Sequence, residues 1–204
     1  MKKIMFNDKY GLTEAVLEGR KTQTRRVINL TDTDKEYLDT AFDWDLRESV
    51  IIGRYAKYKI GEVVAVAQSY KDIVTEAHNR GYREVMMSSR TGRTIFVNEK
   101  TKGWNNKMFV RSNMCFHHIR ITNIRVERLK FIRDEDCLKE GIHKVNYDTF
   151  VVDGINVYDD GKEDGHYLFD TPREAYAVLI DKVSGKGTWE SNPWVFVYDF
   201  ELVD

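Results

Sequence analysis

The stretch of residues 116–132 constrains the fold most, because it predicts a long β-strand with one buried face. Its apolar positions alternate with polar or charged ones, as the side chains of a strand do. The apolar members are Ile119, Ile121, Ile124, Val126 and Leu129. The alternation changes phase near Thr122 and Asn123. Such a shift predicts a bulge or a bend, a feature that β-barrels often need.

Around this strand the sequence predicts a mixture of helices and short strands. Helices are predicted over residues 8–19, 33–41, 71–84, 133–141 and 171–183. Strands are predicted over residues 20–28, 63–67 and 194–202, with a hairpin over 85–97 and a hairpin or loop over 146–168. This order does not suit parallel βαβ winding. It predicts an α+β fold, a small mixed or mostly antiparallel β-barrel with flanking helices.

The length and the lack of linkers predict a single domain over residues 1–204. The chain of 204 residues has only two prolines, and no proline-rich linker divides it. No apolar run approaches the roughly 20 residues that a membrane helix needs. The basic N-terminus is not followed by a signal-peptide pattern. These features predict a cytoplasmic protein with no membrane partner.

The cysteine pattern gives no indication of a metal site. Cys115 and Cys137 are the only two cysteines, they do not form a CxxC motif, and no second Cys/His pair stands at metal-ligand spacing. We therefore expect free, buried thiols, no bound metal and no cofactor. The sequence also lacks the phosphate-loop, dinucleotide-binding and HExxH motifs.

Charge is unevenly distributed, although the net charge is only −1. Residues 1–30 carry seven Lys or Arg against three acids, and residues 100–133 carry nine against the single acid Glu127. Residues 134–204 carry six against seventeen. If the two basic segments fold together, they form the surface expected for a phosphate-bearing partner. The equally open alternative is that the acidic C-terminal third neutralises them.

A short basic segment, Gly19-Arg20-Lys21-Thr22-Gln23-Thr24-Arg25-Arg26, follows the predicted N-terminal helix. On an ideal strand Lys21 and Thr24 point to opposite faces, so they converge only if the backbone turns between them. A desolvated Lys21 can serve as a base. Thr24 carries a hydroxyl that needs such a base to become a nucleophile.

This segment resembles the G-x-K-x-x-x-x-R signature of the ASCH family, which has a PUA-like β-barrel fold. Four further segments are similar to family elements in the expected order: residues 58–64, 119–129, 134–141 and 192–200. The whole pattern also resembles the longer ASCH-like proteins often found in bacteriophages and mobile elements. Residues 31–56, 72–107 and 146–168 then look like insertions into the minimal barrel.

The resemblance implies a cleft for nucleic acid, with RNA favoured, or for a modified nucleoside. Small bacterial ASCH enzymes hydrolyse the amide of N4-acetylcytidine with a Lys, a Thr and a Glu. By motif position, these residues resemble Lys21, Thr24 and Glu140, with Glu140 orienting Lys21 or moving protons. Two alternatives stay open: a binding module without catalysis, and a ribonuclease.

Six further residues are predicted to contact the substrate or nucleic acid. They are Arg25, Arg26, Tyr70, Trp104, Arg111 and Arg120. The first two arginines suit an anion, a carbonyl or a developing oxyanion. The last two suit a phosphate backbone. The two aromatic residues offer faces on which an unpaired base can stack.

Overall fold

The computed structural model describes residues 1–40, 43–88, 92, 94–146, 149–159, 162–166 and 168–203. The α-helices of these residues are α1 Leu12–Leu17, α2 Asp32–Asp39, α3 Trp44–Tyr55, α4 Tyr70–Asn79, α5 Asp134–Lys139, α6 Pro172–Ser184 and α7 Thr188–Ser191. Single 3-10 turns lie at Asp8–Tyr10, Ser112–Met114 and Leu129–Phe131. No helix within these ranges is both long enough and apolar enough to span a membrane.

The strands make the fold α+β, as the sequence predicts. They are β1 Lys3–Ile4, β2 Gln23–Val27, β3 Val63–Val66, β4 Met86–Ser88, β5 Thr94–Phe96, β6 His118–Arg128, β7 His143–Asn146, β8 Thr149–Val151, β9 Asn156–Asp159, β10 Lys162–His166 and β11 Trp194–Leu202. They form several sheets, and among the described residues no sheet closes into a barrel.

The long predicted strand is confirmed as β6, and so is its change of phase. Buried and exposed side chains alternate along β6 until Thr122 and Asn123, which are both exposed. The predicted cap of α6 is also confirmed, since the Thr171 side chain accepts a hydrogen bond from the backbone N–H of Glu174. The sequence patterns do not predict α3 or α7. Only Ile51 of α3 is buried, so α3 lacks an apolar stripe, and α7 is a single turn.

The chain divides into two compact units, each assembled from separate segments. The first unit comprises Met1–Phe6, Val63–Ile119 and Val203–Asp204. The second comprises Asn7–Glu62 and Arg120–Leu202. The segments of the two units alternate along the chain, so no single cut in the sequence separates the units. The prediction of one domain over residues 1–204 stays a prediction. The first unit contains the predicted insertion 72–107, and the second contains 31–56 and 146–168.

The first unit is built on a small apolar core beneath α4. Strands β1 and β3 pair in parallel, with Ile4 opposite Val66. Helix α4 begins in a capping box, in which Ser69 and Asp72 each accept the other's backbone N–H. Strands β4 and β5 form the predicted antiparallel hairpin. Of its predicted turn, residues 90, 91 and 93 lie outside the described residues.

The second unit carries a sheet in which β11 lies between β6 and β2. Strand β11 runs antiparallel to β2, and Tyr198 stands opposite Thr24 in the register. Helix α5 packs against both β2 and α6. This packing brings the short basic segment of the sequence against the C-terminal end of α5.

Candidate functional site

The segment before β2 is fixed by backbone hydrogen bonds on three sides. Gly19 adopts a φ of 73° and ends the turn after α1, a conformation that favours glycine. The N–H of Lys21 donates to the Ala15 carbonyl at 2.8 Å. The N–H of Thr22 donates to the Lys139 carbonyl at 3.0 Å, and the Thr22 carbonyl accepts from the N–H of Phe200 at 2.9 Å. These bonds hold the Lys21 side chain beneath the end of α5.

Lys21 is a buried lysine whose ammonium group is fully hydrogen-bonded. The residue is 2% exposed. Its Nζ donates to Oε2 of Glu140 at 2.6 Å and to the Glu140 carbonyl at 2.8 Å. It also donates to the Gln23 carbonyl at 2.8 Å. Since Glu140 follows the last residue of α5, the ammonium lies at the negative end of that helix, where a cation is favourable.

Glu140 joins the lysine to a second buried cation. Its Oε1 lies 3.2 Å from Nη1 of Arg25, while Oε2 binds Lys21. Glu140 is 4% exposed, and both of its carboxylate oxygens therefore have charged partners away from bulk water. The chain then turns at Gly141, whose φ of 104° suits a residue without a side chain. A Cβ at Gly141 would come within 3.1 Å of the Leu12 side chain.

Arg25 spreads the network over several acidic and polar groups. Its Nε donates to Oε1 of Glu127 at 2.9 Å, and its Nη1 donates to the Gln23 side-chain oxygen at 2.5 Å. Nη2 lies 3.4 Å from a carboxylate oxygen of Asp136. The Arg25 side chain has no exposed surface. Its planar guanidinium thus links β2, β6 and α5 in one fixed arrangement.

Four partly exposed side chains form a rim around these buried groups: Arg125, Glu127, Asp136 and Asp199. Gln23 donates its amide N–H to Asp199 at 2.6 Å. Asp199 also accepts from Nη1 of Arg125 at 2.6 Å. Arg125 lies 3.6 Å from both Glu127 and Asp136. We call the set Lys21, Gln23, Arg25, Arg125, Glu127, Asp136, Glu140 and Asp199 the charge network.

Burial and charge move the pKa values of the two inner cations in opposite directions. Desolvation lowers the pKa of Lys21 below its ordinary value, and it outweighs the opposing effect of the Glu140 carboxylate. Desolvation also acts to lower the pKa of Arg25, but Glu140 and Glu127 together raise it. Arg25 therefore stays a permanent cation, whereas Lys21 releases its proton more readily than an exposed lysine does.

The buried phenol of Tyr176 lies beside the charge network. Tyr176 of α6 is 1% exposed, and among the described residues its hydroxyl has no hydrogen-bond partner. Burial raises its pKa well above the ordinary range, and the charge of Glu140 adds to this shift. Tyr176 thus remains a neutral phenol at physiological pH.

Thr24 and Arg26 lie on the other face of β2 from Gln23 and Arg25. Thr24 is buried and stands opposite Tyr198, whose hydroxyl accepts the backbone N–H of Lys57 at 3.2 Å. Arg26 stands opposite Phe196 and is partly exposed. The structure therefore brings together Lys21, Glu140 and Arg25, but the strand directs the Thr24 hydroxyl away from them.

The remaining predicted contacts fall in different places. Arg120 is exposed in the second unit and forms an ion pair with Glu201 at 2.8 Å. Tyr70, Trp104 and Arg111 belong to the first unit. Tyr70 is 5% exposed in the core, with its hydroxyl donating to the Phe109 carbonyl, so its ring has no open face for a base. Trp104 is partly buried against the same core, while Arg111 is exposed before a 3-10 turn.

The basic stretch around β6 is paired largely with the acidic C-terminal third. Arg120, Arg125 and Lys130 contact Glu201, Asp199 and Glu190, respectively. Of the two interpretations of the charge pattern, these pairs favour neutralisation in this part of the second unit. They leave less free positive charge there for a phosphate backbone.

Sequence reasoning misses four members of the charge network: Gln23, Glu127, Asp136 and Asp199. It suggests Arg125 only as one of four arginines that could contact a phosphate backbone. Two signals were available for the missed members. Gln23 alternates with Lys21 and Arg25 at the spacing of one strand face. Glu127 is the only acid in a segment with nine cations, and such an isolated acid suits an internal ion pair. Asp136 and Asp199 carry no comparable signal, because only the packing of α5 and β11 brings them close.

Comparison of the chain with models of known protein families finds no match. Neither the curated proteins nor the solved structures contain a match. Within the described residues no group of three or more His, Cys, Asp or Glu is placed to hold a metal ion. The function is therefore argued from the charge network and from the sequence resemblance.

Proposed function

We propose that the second unit hydrolyses an amide on a modified nucleoside, with Lys21 and Glu140 as the pair that moves the proton. One observation carries this proposal: a lysine and a glutamate 119 residues apart meet at 2.6 Å in a buried site. The resemblance to the ASCH family pairs the same two residues. Burial lowers the pKa of this lysine and Arg25 holds the carboxylate beside it, and both features suit a site of proton transfer.

The chemistry that the pair can perform is the addition of water to an acyl group. Glu140 accepts a proton as a water molecule adds to the amide carbonyl, and Lys21 donates a proton to the departing amine when the C–N bond breaks. Transfer of a proton from Glu140 to Lys21 over 2.6 Å restores both groups. The net reaction consumes one water and yields a carboxylic acid and an amine. Arg25 holds the carboxylate of Glu140 in place.

Access to the pair requires a small rearrangement. Hydrogen bonds to Gln23 and Glu140 occupy the ammonium group of Lys21. A substrate amide must therefore replace one backbone carbonyl as the acceptor. The half-exposed rim of Arg125 and Asp199 is the part of the network that a substrate meets first. In the same proposal the sheet of β6, β11 and β2 is the wall of a PUA-like barrel.

A second candidate is a binding module that recognises a modified base without hydrolysis. The position of Thr24 favours it, because the residue that the resemblance assigns as a nucleophile stands opposite Tyr198, on the other face of β2 from Gln23 and Arg25. In that case the charge network holds β2 and α5 in place. The donors and acceptors of the rim, such as Arg125 and Asp199, then form hydrogen bonds with the base.

The test is hydrolysis of N4-acetylcytidine, with cytidine release followed by chromatography. Wild type is expected to release cytidine, while Lys21→Met and Glu140→Gln, which preserve side-chain size, are expected to lose at least about a hundredfold in rate. Lys139→Met is the matched control, because the exposed ammonium of Lys139 lies 3.4 Å from Asp136 at the rim, and the substitution leaves its backbone in place. Release that is equal in Lys21→Met and wild type contradicts the proposal. Binding of the nucleoside without release by wild type favours the second candidate.

A further inference from the structure

A cavity of about 560 Å³ opens in the first unit, and the charge network has no part in it. It lies among α4, the β4–β5 hairpin and the loop of residues 98–104. Val74, Val85 and Val97 supply its apolar lining, and these side chains also belong to or pack against the core of this unit. The volume is within the range of roughly 300–1,000 Å³ that is typical of small-molecule sites.

Trp104 offers an aromatic face to this cavity from a fixed position. The backbone N–H of Trp104 donates to the Thr101 carbonyl at 3.0 Å, and the Trp104 carbonyl accepts from the backbone N–H of Lys71 at 3.1 Å. In the part of the chain that the structure describes, no ring or cation stacks on its indole, and no acceptor binds its indole N–H. Phe96 lines the same cavity and is 56% exposed. Both rings are thus available to a planar ligand.

Four charged side chains at the cavity are exposed and form no ion pair with any described residue. Arg83 and Lys100 line it, as do Glu84 and Glu99. Among the described residues none of these four side chains forms a salt bridge or a hydrogen bond. The cations of the second unit differ, since Arg25, Arg125 and Arg128 each contact a carboxylate. The cavity therefore combines an apolar floor with cations that are free to bind an anion.

We infer that this cavity binds a nucleotide, that is, a purine or pyrimidine ring that carries a phosphate. The base stacks on Trp104, with Phe96 beside it, because aromatic faces bind the π-face of any base. Arg83 and Lys100 contact the phosphate. The carboxylates of Glu84 and Glu99 accept hydrogen bonds from the amino group of the base. The inference does not depend on the hydrolase proposal, since it rests on residues of the first unit alone.

The second unit contains a cavity of the same volume that serves as a control. It is lined by Trp189, Lys182 and Lys186, so it has a similar composition. Its tryptophan is already engaged, however. The ring of Tyr176 meets it edge-on at 6.2 Å, and the Arg173 guanidinium lies 5.3 Å from its centre. If substitution of Trp104 weakens nucleotide binding and substitution of Trp189 does not, the free aromatic face of Trp104 explains the difference.

Calorimetric titration of the full chain with CMP, AMP, cytidine and adenosine tests the inference. Wild type is expected to bind each monophosphate more tightly than its nucleoside. Trp104→Ala is expected to weaken binding by about tenfold or more, whereas Trp104→Phe keeps most of it. The double variant Arg83→Ala/Lys100→Ala is expected to remove the preference for the phosphate. Trp189→Phe should bind like wild type.

A second titration distinguishes the two sources of such a nucleotide. A short RNA with a 5′-phosphate is compared with the same RNA carrying a 5′-hydroxyl and with the free monophosphate. Tighter binding of the phosphorylated RNA than of the monophosphate assigns the site to an RNA end, and equal binding assigns it to a free nucleotide.

Two results overturn the inference: no saturable binding of any monophosphate at about 1 mM, the weak end of specific affinities, or equal binding by wild type and the double variant. Circular dichroism and thermal melting check that each variant folds. If Trp104→Ala does not fold, the double variant decides, because both of its side chains are exposed. Neither titration measures hydrolysis, so failure here leaves the proposed function standing.

Discussion

The charge network of the second unit and the cavity of the first unit use charged residues in opposite ways. In the network, Lys21 and Arg25 are buried, and both bind the buried carboxylate of Glu140. At the cavity, Arg83 and Lys100 are exposed and make no ion pair with any described residue. Buried charges cost desolvation energy, which favourable partners must offset, whereas exposed unpaired charges remain available to a ligand. In our two proposals, this difference separates a site for proton transfer from a site for anion binding.

Removal of Glu140 is expected to have the largest effect on stability. Glu140→Ala leaves the buried cations Lys21 and Arg25 without their shared carboxylate. We expect a loss of about 3–5 kcal/mol in the free energy of unfolding, measured by urea denaturation. Glu201→Ala breaks the exposed pair with Arg120 and is the matched control, with an expected loss of about 0–1 kcal/mol. Similar losses for the two variants would mean that burial does not distinguish these pairs.

Lys21→Met should cost less than Glu140→Ala. The methionine fills a similar volume, and the Glu140 carboxylate keeps its contact with Arg25 at 3.2 Å. The carbonyls of Gln23 and Glu140 lose a donor, so we expect a loss of about 1–3 kcal/mol. The same urea experiment measures it. A loss greater than that of Glu140→Ala would place Lys21, rather than Glu140, at the centre of the network.

The buried thiol beside the network predicts a loss of stability at alkaline pH. Burial raises the pKa of Cys137 to about 12, above the ordinary value of 9.0. The unfolded thiol therefore loses its proton first, and stability falls as the pH rises from about 9 towards 12, by at most about 1.4 kcal/mol per pH unit for this group. Cys137→Ala should flatten the decline, as followed by urea denaturation at several pH values. An unchanged slope in the variant would assign the decline to other groups.

The smallest effects concern two buried tyrosines that differ in their hydrogen bonds. Tyr176→Phe removes a hydroxyl that has no partner among the described residues, so it should be neutral or stabilise the protein by up to about 1 kcal/mol. Tyr198→Phe removes the acceptor of the Lys57 N–H and should cost about 1 kcal/mol. Thermal melting compares the two variants. A clear loss of stability in Tyr176→Phe would indicate a hidden partner, such as a bound water.

The sequence predicted those elements whose signals are local. Strand β6 follows from its alternation, and the cap of α6 follows from a Thr before a Pro. The pairing of Lys21 with Glu140 is not a local signal, and only the family resemblance suggested that they act together. The direction of Arg25 towards Glu140, and of Thr24 towards the opposite face of β2, depends on the register of β2 against β11. No pattern within the basic segment determines that register.

The most direct test of the charge network is the titration of Lys21 itself. Protein labelled with 13C and 15N on its lysine side chains is followed by NMR as the pH rises, and Lys21→Met identifies the Lys21 signal. We expect a pKa for Lys21 below the ordinary value of 10.5, because burial disfavours its charged form. A midpoint at or above 10.5 would show that the attraction of Glu140 outweighs burial. That result would contradict the role of Lys21 as a ready proton donor.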